Sequence, residues 1–326
     1  MNHRTWPTKS TVSPYSSFCP SKPHQSPPYN HRNNHHYYRR GYSALPYDLI
    51  KRIAATFTHG DLNAASSVCK SWNDALRPLR EAMLLLRWGK RFKHGRAGVR
   101  ANRQKALESF LKGAARGSSL AMVDAGIIYW EMGRRDEGLR FYRRAADLGD
   151  ASGQCNLGIA YLQADFANDT EAIRWLRQSA CAGHARAQYQ LALCLHHGRG
   201  IERNLPEAAK WYLRAAERGY VRAMYNASLC FGSGDGFPQS HRQAKKWMKR
   251  AADHGHKKAQ FEHGLHLFTE GETTLAVVYL ELACRAGEVG ASHVRDVILL
   301  QLSDASRDRA MQIADKWRAL PSSRFT

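Results

Sequence analysis

Three groups of histidines have spacings that bring imidazole rings close together: His196-His197, His254-x-His256 and His263-x-x-His266. His263 and His266 are three residues apart, so they share one face of a helix. A zinc site needs about four ligands, and no H-E-x-x-H motif or cysteine pair supplies the others. We therefore expect structural or surface roles for these histidines, and we predict neither a metal nor a cofactor.

Two glycine-rich stretches, residues 198–200 and 232–236, resemble loops that cradle a phosphate. Neither follows a strand-like run or ends in G-K-[ST]. Nucleophilic catalysis would need a serine or cysteine held by a histidine and an acid, and no motif marks such a residue. We predict that the chain is not an enzyme and has no small-molecule substrate.

The formal net charge of +21 would attract an acidic protein, a nucleic acid or an anionic membrane. Solvated helix faces are the first explanation for basic pairs such as Lys245-Lys246 and Lys249-Arg250, and an acidic protein partner is the second. Nucleic acid is disfavoured because no motif interleaves aromatic and basic residues. A membrane is not predicted either, because no apolar run approaches the ~18 residues that span a bilayer.

Residues 1–43 contain six Lys or Arg and no Asp or Glu, and they are rich in Ser, Pro, His, Tyr and Asn. This composition predicts a disordered basic tail. An organellar transit peptide is the alternative, although no amphipathic helix is evident.

The elements that carry these residues are repeated helices. The phrase A-A-x-x-G-x-x-x-A recurs, with glycines 32, 34, 36, 36 and 32 residues apart. These glycines are Gly117, Gly149, Gly183, Gly219, Gly255 and Gly287. We predict that each ends the second helix of a pair in a left-handed conformation. Eight residues earlier an aromatic residue, such as Trp175, Trp211 or Trp247, is predicted to fill the gap between pairs.

All variation in repeat length lies between the two helices of a pair. The step from Tyr129 to Gly138 is 9 residues, whereas the step from Leu195 to Ala208 is 13. The chain therefore contains about six helix pairs over residues 82–290, capping helices over residues 291–320 and a short tail over residues 321–326. Polar Arg295-Asp296 replaces the apolar pair of earlier units, as a terminal cap requires.

These residues resemble Sel1-like repeats, which are related to the tetratricopeptide repeat. The matching features are Leu157-Gly158-x-x-Tyr161, Glu207-Ala208-x-x-Trp211-Tyr212-x-x-Ala215-Ala216-x-x-Gly219 and His197-Gly198-Arg199-Gly200-Ile201. The resemblance implies a right-handed α-solenoid whose concave surface binds a protein partner.

The segment before the repeats, residues 44–81, is predicted to be a short helical domain. Leu49, Ile53 and Phe57 repeat every four residues, as on one face of a helix. Asp61 is the expected N-cap of the next helix. Arg77-Pro78 is the expected break before the repeats.

This segment resembles an F-box through Leu45-Pro46-x-Asp48-Leu49-Ile50-x-x-Ile53 and Asp61-Leu62-x-x-Ala65-x-x-Val68-Cys69-Lys70-x-Trp72. The family docks on Skp1, and thereby on a cullin-based ubiquitin ligase. By this resemblance, Leu45, Pro46, Leu49 and Ile50 insert into Skp1, together with Ile53. The resemblance also implies that Leu62, Val68, Cys69 and Trp72 are shared between that interface and the internal packing.

An F-box followed at once by Sel1-like repeats is typical of a type of plant F-box protein. We therefore expect an all-α, non-catalytic substrate-recognition subunit of an SCF-type E3 ubiquitin ligase, acting in the cytoplasm, the nucleus or both. Its expected partners are a Skp1-like protein, through it a cullin, and an unidentified client protein; an acidic client is one of the alternatives that the net charge leaves open. The alternative is a protein-protein interaction scaffold without a ubiquitin function.

Overall fold

The computed structural model describes residues 45–54, 57–163 and 168–321. Within these ranges the chain forms sixteen helices and no strand, which confirms the all-α class. The predicted basic tail over residues 1–43 lies outside the described residues, as does the tail after residue 321. The helices are α1 (Tyr47–Ile53), α2 (His59–Ser66), α3 (Lys70–His94), α4 (Arg103–Ala115), α5 (Ser119–Glu131), α6 (Arg135–Asp147), α7 (Ala151–Gln163), α8 (Asp169–Cys181), α9 (Ala185–His197), α10 (Leu205–Glu217), α11 (Val221–Ser233), α12 (His241–Asp253), α13 (Lys257–Thr269), α14 (Thr273–Arg285), α15 (Ala291–Leu299) and α16 (Asp304–Lys316).

Helices α3 to α14 form six consecutive pairs, and every helix from α4 to α14 has 13 residues. The loop inside a pair has 3 residues between α5 and α6, but 7 between α9 and α10 and between α11 and α12. The turn between one pair and the next has 3 residues from α4 through to α13. The prediction that length varies only inside the pairs is therefore confirmed for these units.

Glycines in the first helix of a pair let the second helix approach closely. A Cβ atom on Gly158 would lie 2.7 Å from the Cγ atom of Leu176, and one on Gly264 would lie 2.9 Å from that of Leu280. Both leucines are fully buried. The two helices thus contact through backbone on one side and a large side chain on the other.

Helix α3 does not break at Pro78. It runs for 25 residues from the F-box-like segment into the first repeat, with Pro78 inside it, so the expected break at Arg77-Pro78 is wrong. A proline inside a helix costs about 3 kcal/mol. Burial of Leu76, Leu79 and Leu86 against the neighbouring helices offsets that cost. The boundary predicted between residues 81 and 82 lies within this single helix.

The array has one side formed by the first helices of the pairs and one side formed by the second helices. Contacts join α3 with α5, α5 with α7 and α7 with α9, whereas successive second helices between α4 and α12 contact each other less. We call the first-helix side the inner side and the second-helix side the outer side.

The last two helices cover the end of the array. Helix α14 packs against both α15 and α16. Arg295 on α15 forms an ion pair with the buried Glu281 of α14, with N and O atoms 2.6 Å apart. Arg285 of α14 pairs with Asp315 of α16 at 2.7 Å. Charged residues thus stabilise the place where a further apolar repeat would otherwise pack.

Candidate protein-binding surfaces

One face of α1 presents apolar side chains to solvent. Pro46, Leu49 and Ile53 are spaced as residues i, i+3 and i+7, so they share a helix face. Pro46 is exposed, and Leu49 and Ile53 have 42% and 45% of their surface exposed. Tyr47, which the motif does not include, is 47% exposed. We call Pro46, Leu49 and Ile53 the α1 apolar face; uncovered apolar surface of this kind is typical of protein interfaces.

Three residues of the predicted Skp1-binding set instead form the internal core. Ile50 is 0% exposed, Leu62 is 1% exposed and Trp72 is 9% exposed. Helices α1 and α2 both pack on α3, which encloses these side chains. In the free chain Ile50, Leu62 and Trp72 therefore act in packing, and their contacts with Skp1 stay predictions.

The remaining residues of the set lie at the surface to different degrees. Val68, in the turn between α2 and α3, is 58% exposed, and the adjacent Cys69 is half-buried. Leu45 is also half-buried. Val68 is exposed enough to contact a partner, and its contact with Skp1 stays a prediction.

The start of α2 is fixed by Thr58, not by Asp61 as expected. The Thr58 hydroxyl accepts a hydrogen bond from the Asp61 backbone N–H, and the Thr58 N–H donates to the Asp61 carboxylate at 3.0 Å. This reciprocal arrangement is a capping box. The hydrogen bonds from Thr58 lower the pKa of the Asp61 carboxyl.

The three tryptophans named as structural residues are buried: Trp175 is 6% exposed, Trp211 5% and Trp247 6%. The glycines that follow the second helices of the pairs adopt positive φ angles, between +82° and +87° for Gly149, Gly183, Gly219 and Gly255. Left-handed backbone of this kind favours glycine, because a Cβ atom would approach the following carbonyl oxygen. Each repeat thus ends in a turn that few other residues tolerate.

Among the described residues, two large cavities are lined mainly by first helices. The first, about 850 Å³, lies among α5, α7 and the start of α9, and its lining includes Trp130, Asn156, His184 and Arg186. It contains charge of both signs, because Glu131 also lines it and pairs with Arg103 at 2.9 Å. Burial lowers the pKa of His184.

The second cavity, about 870 Å³, lies among α9, α11, α12 and α13. Leu229, which is 43% exposed, lines it together with Tyr212 and His266. Lys245 at its edge contacts Glu270 with N and O atoms 2.6 Å apart. Both cavities therefore combine apolar, aromatic and charged side chains, as a surface for a polypeptide does.

Several residues that line the two cavities, such as His197, Lys245 and His266, are named in the sequence analysis, but not as parts of a binding groove. The lining residues that it missed include first-helix residues outside the A-x-x-x-A packing face, such as Asn156 and Leu229. The helical period would identify these residues, because they lie on the face of the first helix that points away from the second helix.

Side chains that could ligate a metal are not grouped together in the described parts of the chain. No cluster of three or more His, Cys, Asp or Glu side chains there has a metal-binding arrangement. Burial raises the pKa of Cys155 to about 12 and those of Cys194 and Cys230 to about 11, so these thiols stay protonated at neutral pH.

The glycine-rich loops pack on the preceding repeat and do not form a phosphate cradle. A Cβ atom on Gly200 would lie 2.6 Å from the Asp169 carbonyl oxygen, and Arg199 pairs with the Asp169 carboxylate at 3.1 Å. The loop glycines therefore allow close contact between units.

Among the helices described, none has the length and apolar character to span a bilayer.

Comparison with known proteins assigns both regions to families. The F-box domain family matches residues 43–81. The Sel1 repeat family matches residues 82–118, 135–150, 151–184, 185–220, 221–256 and 258–288. F-box protein At1g70590 of Arabidopsis thaliana is 58% identical over 358 residues, which cover 99% of this chain and 100% of that protein.

Two solved structures share the fold. One is c5321, a protective antigen of uropathogenic Escherichia coli with an SLR fold; it is 22% identical, has a TM-score of 0.63, and the match covers 83% of this chain and 61% of that one. The other is a Sel1 repeat protein from Oxalobacter formigenes; it is 21% identical, has a TM-score of 0.59, and the match covers 70% of this chain and 98% of that one. At these identities the likeness concerns the solenoid fold alone. The chain belongs to the F-box proteins that carry Sel1 repeats.

Proposed function

We propose that this protein is the substrate-recognition subunit of an SCF-type E3 ubiquitin ligase. In this role the F-box region binds a Skp1-like protein, and through it a cullin, while the Sel1 repeats hold the client. The observation that supports the proposal is the α1 apolar face, which lies within the F-box match and faces solvent. Because a cullin partner acts in the cytosol or nucleus, we place the protein there.

The inner groove is the proposed client site. Its two cavities of about 850 and 870 Å³ are lined mainly by first helices. Their mixed lining offers apolar pockets with charged edges, which suits a folded or extended protein segment. The chain itself would position the client, and the catalysis would belong to other subunits.

The experiment that tests the proposal is a titration of a purified Skp1-like protein with the full chain, measured by surface plasmon resonance. The variant is Leu49→Ser/Ile53→Ser, which changes only exposed side chains. Each removes an apolar contact of the kind that costs about 1–2 kcal/mol at an interface, so affinity should fall by at least about tenfold.

The matched control is Leu275→Ser/Leu300→Ser, which alters two exposed leucines near the opposite end of the array. It should bind the Skp1-like protein like the parent. Absence of binding by the parent chain would refute the ligase role and leave the scaffold alternative. In that alternative, proteasome inhibition would leave the abundance of bound proteins unchanged.

A further inference from the structure

The outer side of the solenoid carries a periodic row of basic side chains. In each second helix, the residue before the repeat's aromatic residue and the residue three after it are four apart, so they share one helix face. In α6, α8, α10 and α12, seven of these eight positions are Lys or Arg, and all seven side chains are exposed. We name them the basic ladder: Arg140, Arg144, Arg174, Lys210, Arg214, Lys246 and Arg250.

The charges of the basic ladder are mostly not neutralised. Among the described residues, Arg174 alone of the seven has a carboxylate within 4.0 Å, that of Glu171 at 3.1 Å. Other basic side chains of the array are paired, as Arg103 with Glu131 and Lys245 with Glu270. The basic ladder is therefore a row of mostly unpaired positive charges.

Part of the ladder is held in place by stacking. The Arg214 guanidinium lies 4.6 Å from the ring centroid of Trp211, and Arg250 lies 4.9 Å from that of Trp247. Cation–π contacts of this kind restrict the side chain while its N–H groups still point to solvent. A partner would then lose less side-chain entropy on binding.

The same surface of the next pair is already occupied by a segment of this chain. In α14 the equivalent positions are Val278 and Leu282, which are only 3% and 5% exposed. They pack in one cluster with Ala310 and Ala314 of α16. The outer face of a second helix is thus able to receive a polypeptide, and the ladder is the portion left open.

We propose that the basic ladder binds an acidic segment of a protein partner. Packed helices lie about 10 Å apart, and successive second helices, which contact each other less, lie at least that far apart. An extended chain advances about 3.3 Å per residue, so a segment with an acidic residue at every third position would present at least one carboxylate to each helix of the ladder. Four helices correspond to at least about ten residues of extended chain.

Protein acids fit this surface better than a phosphate polymer does. The ladder is interrupted by neutral Gln178, and Asp147 and Glu217 border it at the ends of α6 and α10. A nucleic acid carries one negative charge at every nucleotide, so some of its phosphates would lie near these acidic residues. The carboxylates of a protein segment are separated by neutral residues and can avoid them. The proposal does not depend on Skp1 binding, because the ladder lies on α6, α8, α10 and α12, whereas the α1 apolar face lies on α1.

The experiment measures fluorescence anisotropy of a labelled Ser/Gly peptide of about twelve residues with glutamate at every third position, titrated with the full chain at near-physiological salt. The variant is Arg140→Gln/Lys210→Gln/Lys246→Gln. In the described parts of the chain these three side chains make no ion pair or ring contact, so the fold should be retained. Loss of three exposed charge contacts should weaken binding by about tenfold.

The control Arg100→Gln/Lys258→Gln/Arg309→Gln removes the same charge from exposed positions outside the ladder. It should change the affinity by less than about twofold. An equal loss in both triple variants would overturn the proposal, because binding would then follow net charge alone. Failure of the parent to bind the peptide, or tighter binding of an oligonucleotide of equal charge that the ladder variant abolishes, would overturn it too.

Discussion

Helix α1 of the F-box and helix α10 of the repeats both have closely spaced apolar residues, but they use them differently. In α10, Trp211 and Tyr212 are 5% and 2% exposed, because neighbouring pairs enclose the helix. In α1, Ile50 is buried while Leu49 and Ile53 stay more than 40% exposed. The repeats bury their apolar residues between stacked pairs, whereas α1 of the F-box leaves a second apolar face exposed. The two helices therefore differ in the burial of their apolar residues and not in the residue types.

The largest effect is expected in the repeats. Trp211→Ala removes a side chain packed between pairs, so the free energy of unfolding should fall by about 3–5 kcal/mol in urea titrations followed by circular dichroism. The matched change Trp88→Ala, at a tryptophan that is 45% exposed in α3, should cost much less. Equal losses would show that burial in the structure does not govern stability here.

A second pair of substitutions tests the two faces of α1. Ile50→Ala should lower the free energy of unfolding by about 2–4 kcal/mol, because Ile50 has no exposed surface. Leu49→Ala should change it by less than about 1 kcal/mol, since the site is exposed. Urea titration of both variants measures the difference. If Leu49→Ala is the more damaging, the assignment of inner and outer faces is reversed.

A pH effect should come from the buried His263 of α13. Burial and the nearby Lys249 lower its pKa to about 4, so it stays neutral in the folded chain. In the unfolded chain it would take up a proton near pH 6.5. The contribution of neutral His263 to the free energy of unfolding is therefore complete above pH 6.5. It declines, by up to about 2 kcal/mol, as the pH falls toward 4.

Thermal melting of the parent from pH 7 to pH 4.5 measures this decline. The His263→Gln variant should show a shallower dependence, whereas the exposed His266→Gln should follow the parent. Parallel curves for the parent and both variants would assign the decline to other groups.

The smallest effect concerns backbone conformation. Gly149, between two repeats, has a φ of +82°, and an added Cβ would meet no atom within 4 Å. Gly149→Ala should therefore cost about 1 kcal/mol from strain alone. Gly60→Ala, inside α2 of the F-box region, should be neutral or stabilising because alanine favours a helix. Melting temperatures of the two variants would separate the two outcomes, and a stabilised Gly149→Ala would contradict the strain argument.

The repeats could be predicted almost fully from the sequence, because the same pattern of apolar residues and glycines occurs in several successive units. Gly149, Gly183 and Gly219 fixed the period, and the loop lengths followed from the remaining spacing. The F-box region occurs once, so its pattern had to be interpreted without that redundancy. Leu49, Ile50 and Ile53 are all apolar, and only the packing of α3 shows which of them point inward.

Two local features also differ from the expectation, one through tertiary packing and one through local hydrogen bonds. Pro78 predicts a helix end, yet the leucines around it bury enough surface to keep α3 continuous. Asp61 has the residue type of an N-cap, but Thr58 three residues earlier takes that position and leaves Asp61 to complete the capping box. The basic ladder was visible only as separate charge pairs until the second helices were aligned on their aromatic residues.

The continuity of α3 has a geometrical consequence. A helix of 25 residues extends about 37 Å, and each residue turns it by about 100°. The F-box helices and the first repeat are therefore fixed in both distance and rotational phase, without a hinge in α3. Insertion of a single residue in the middle of α3 would leave each region intact but swing the groove about 100° around the helix axis, away from wherever the F-box partner holds it. The number of residues in α3 thus sets the direction in which the groove faces relative to the F-box helices.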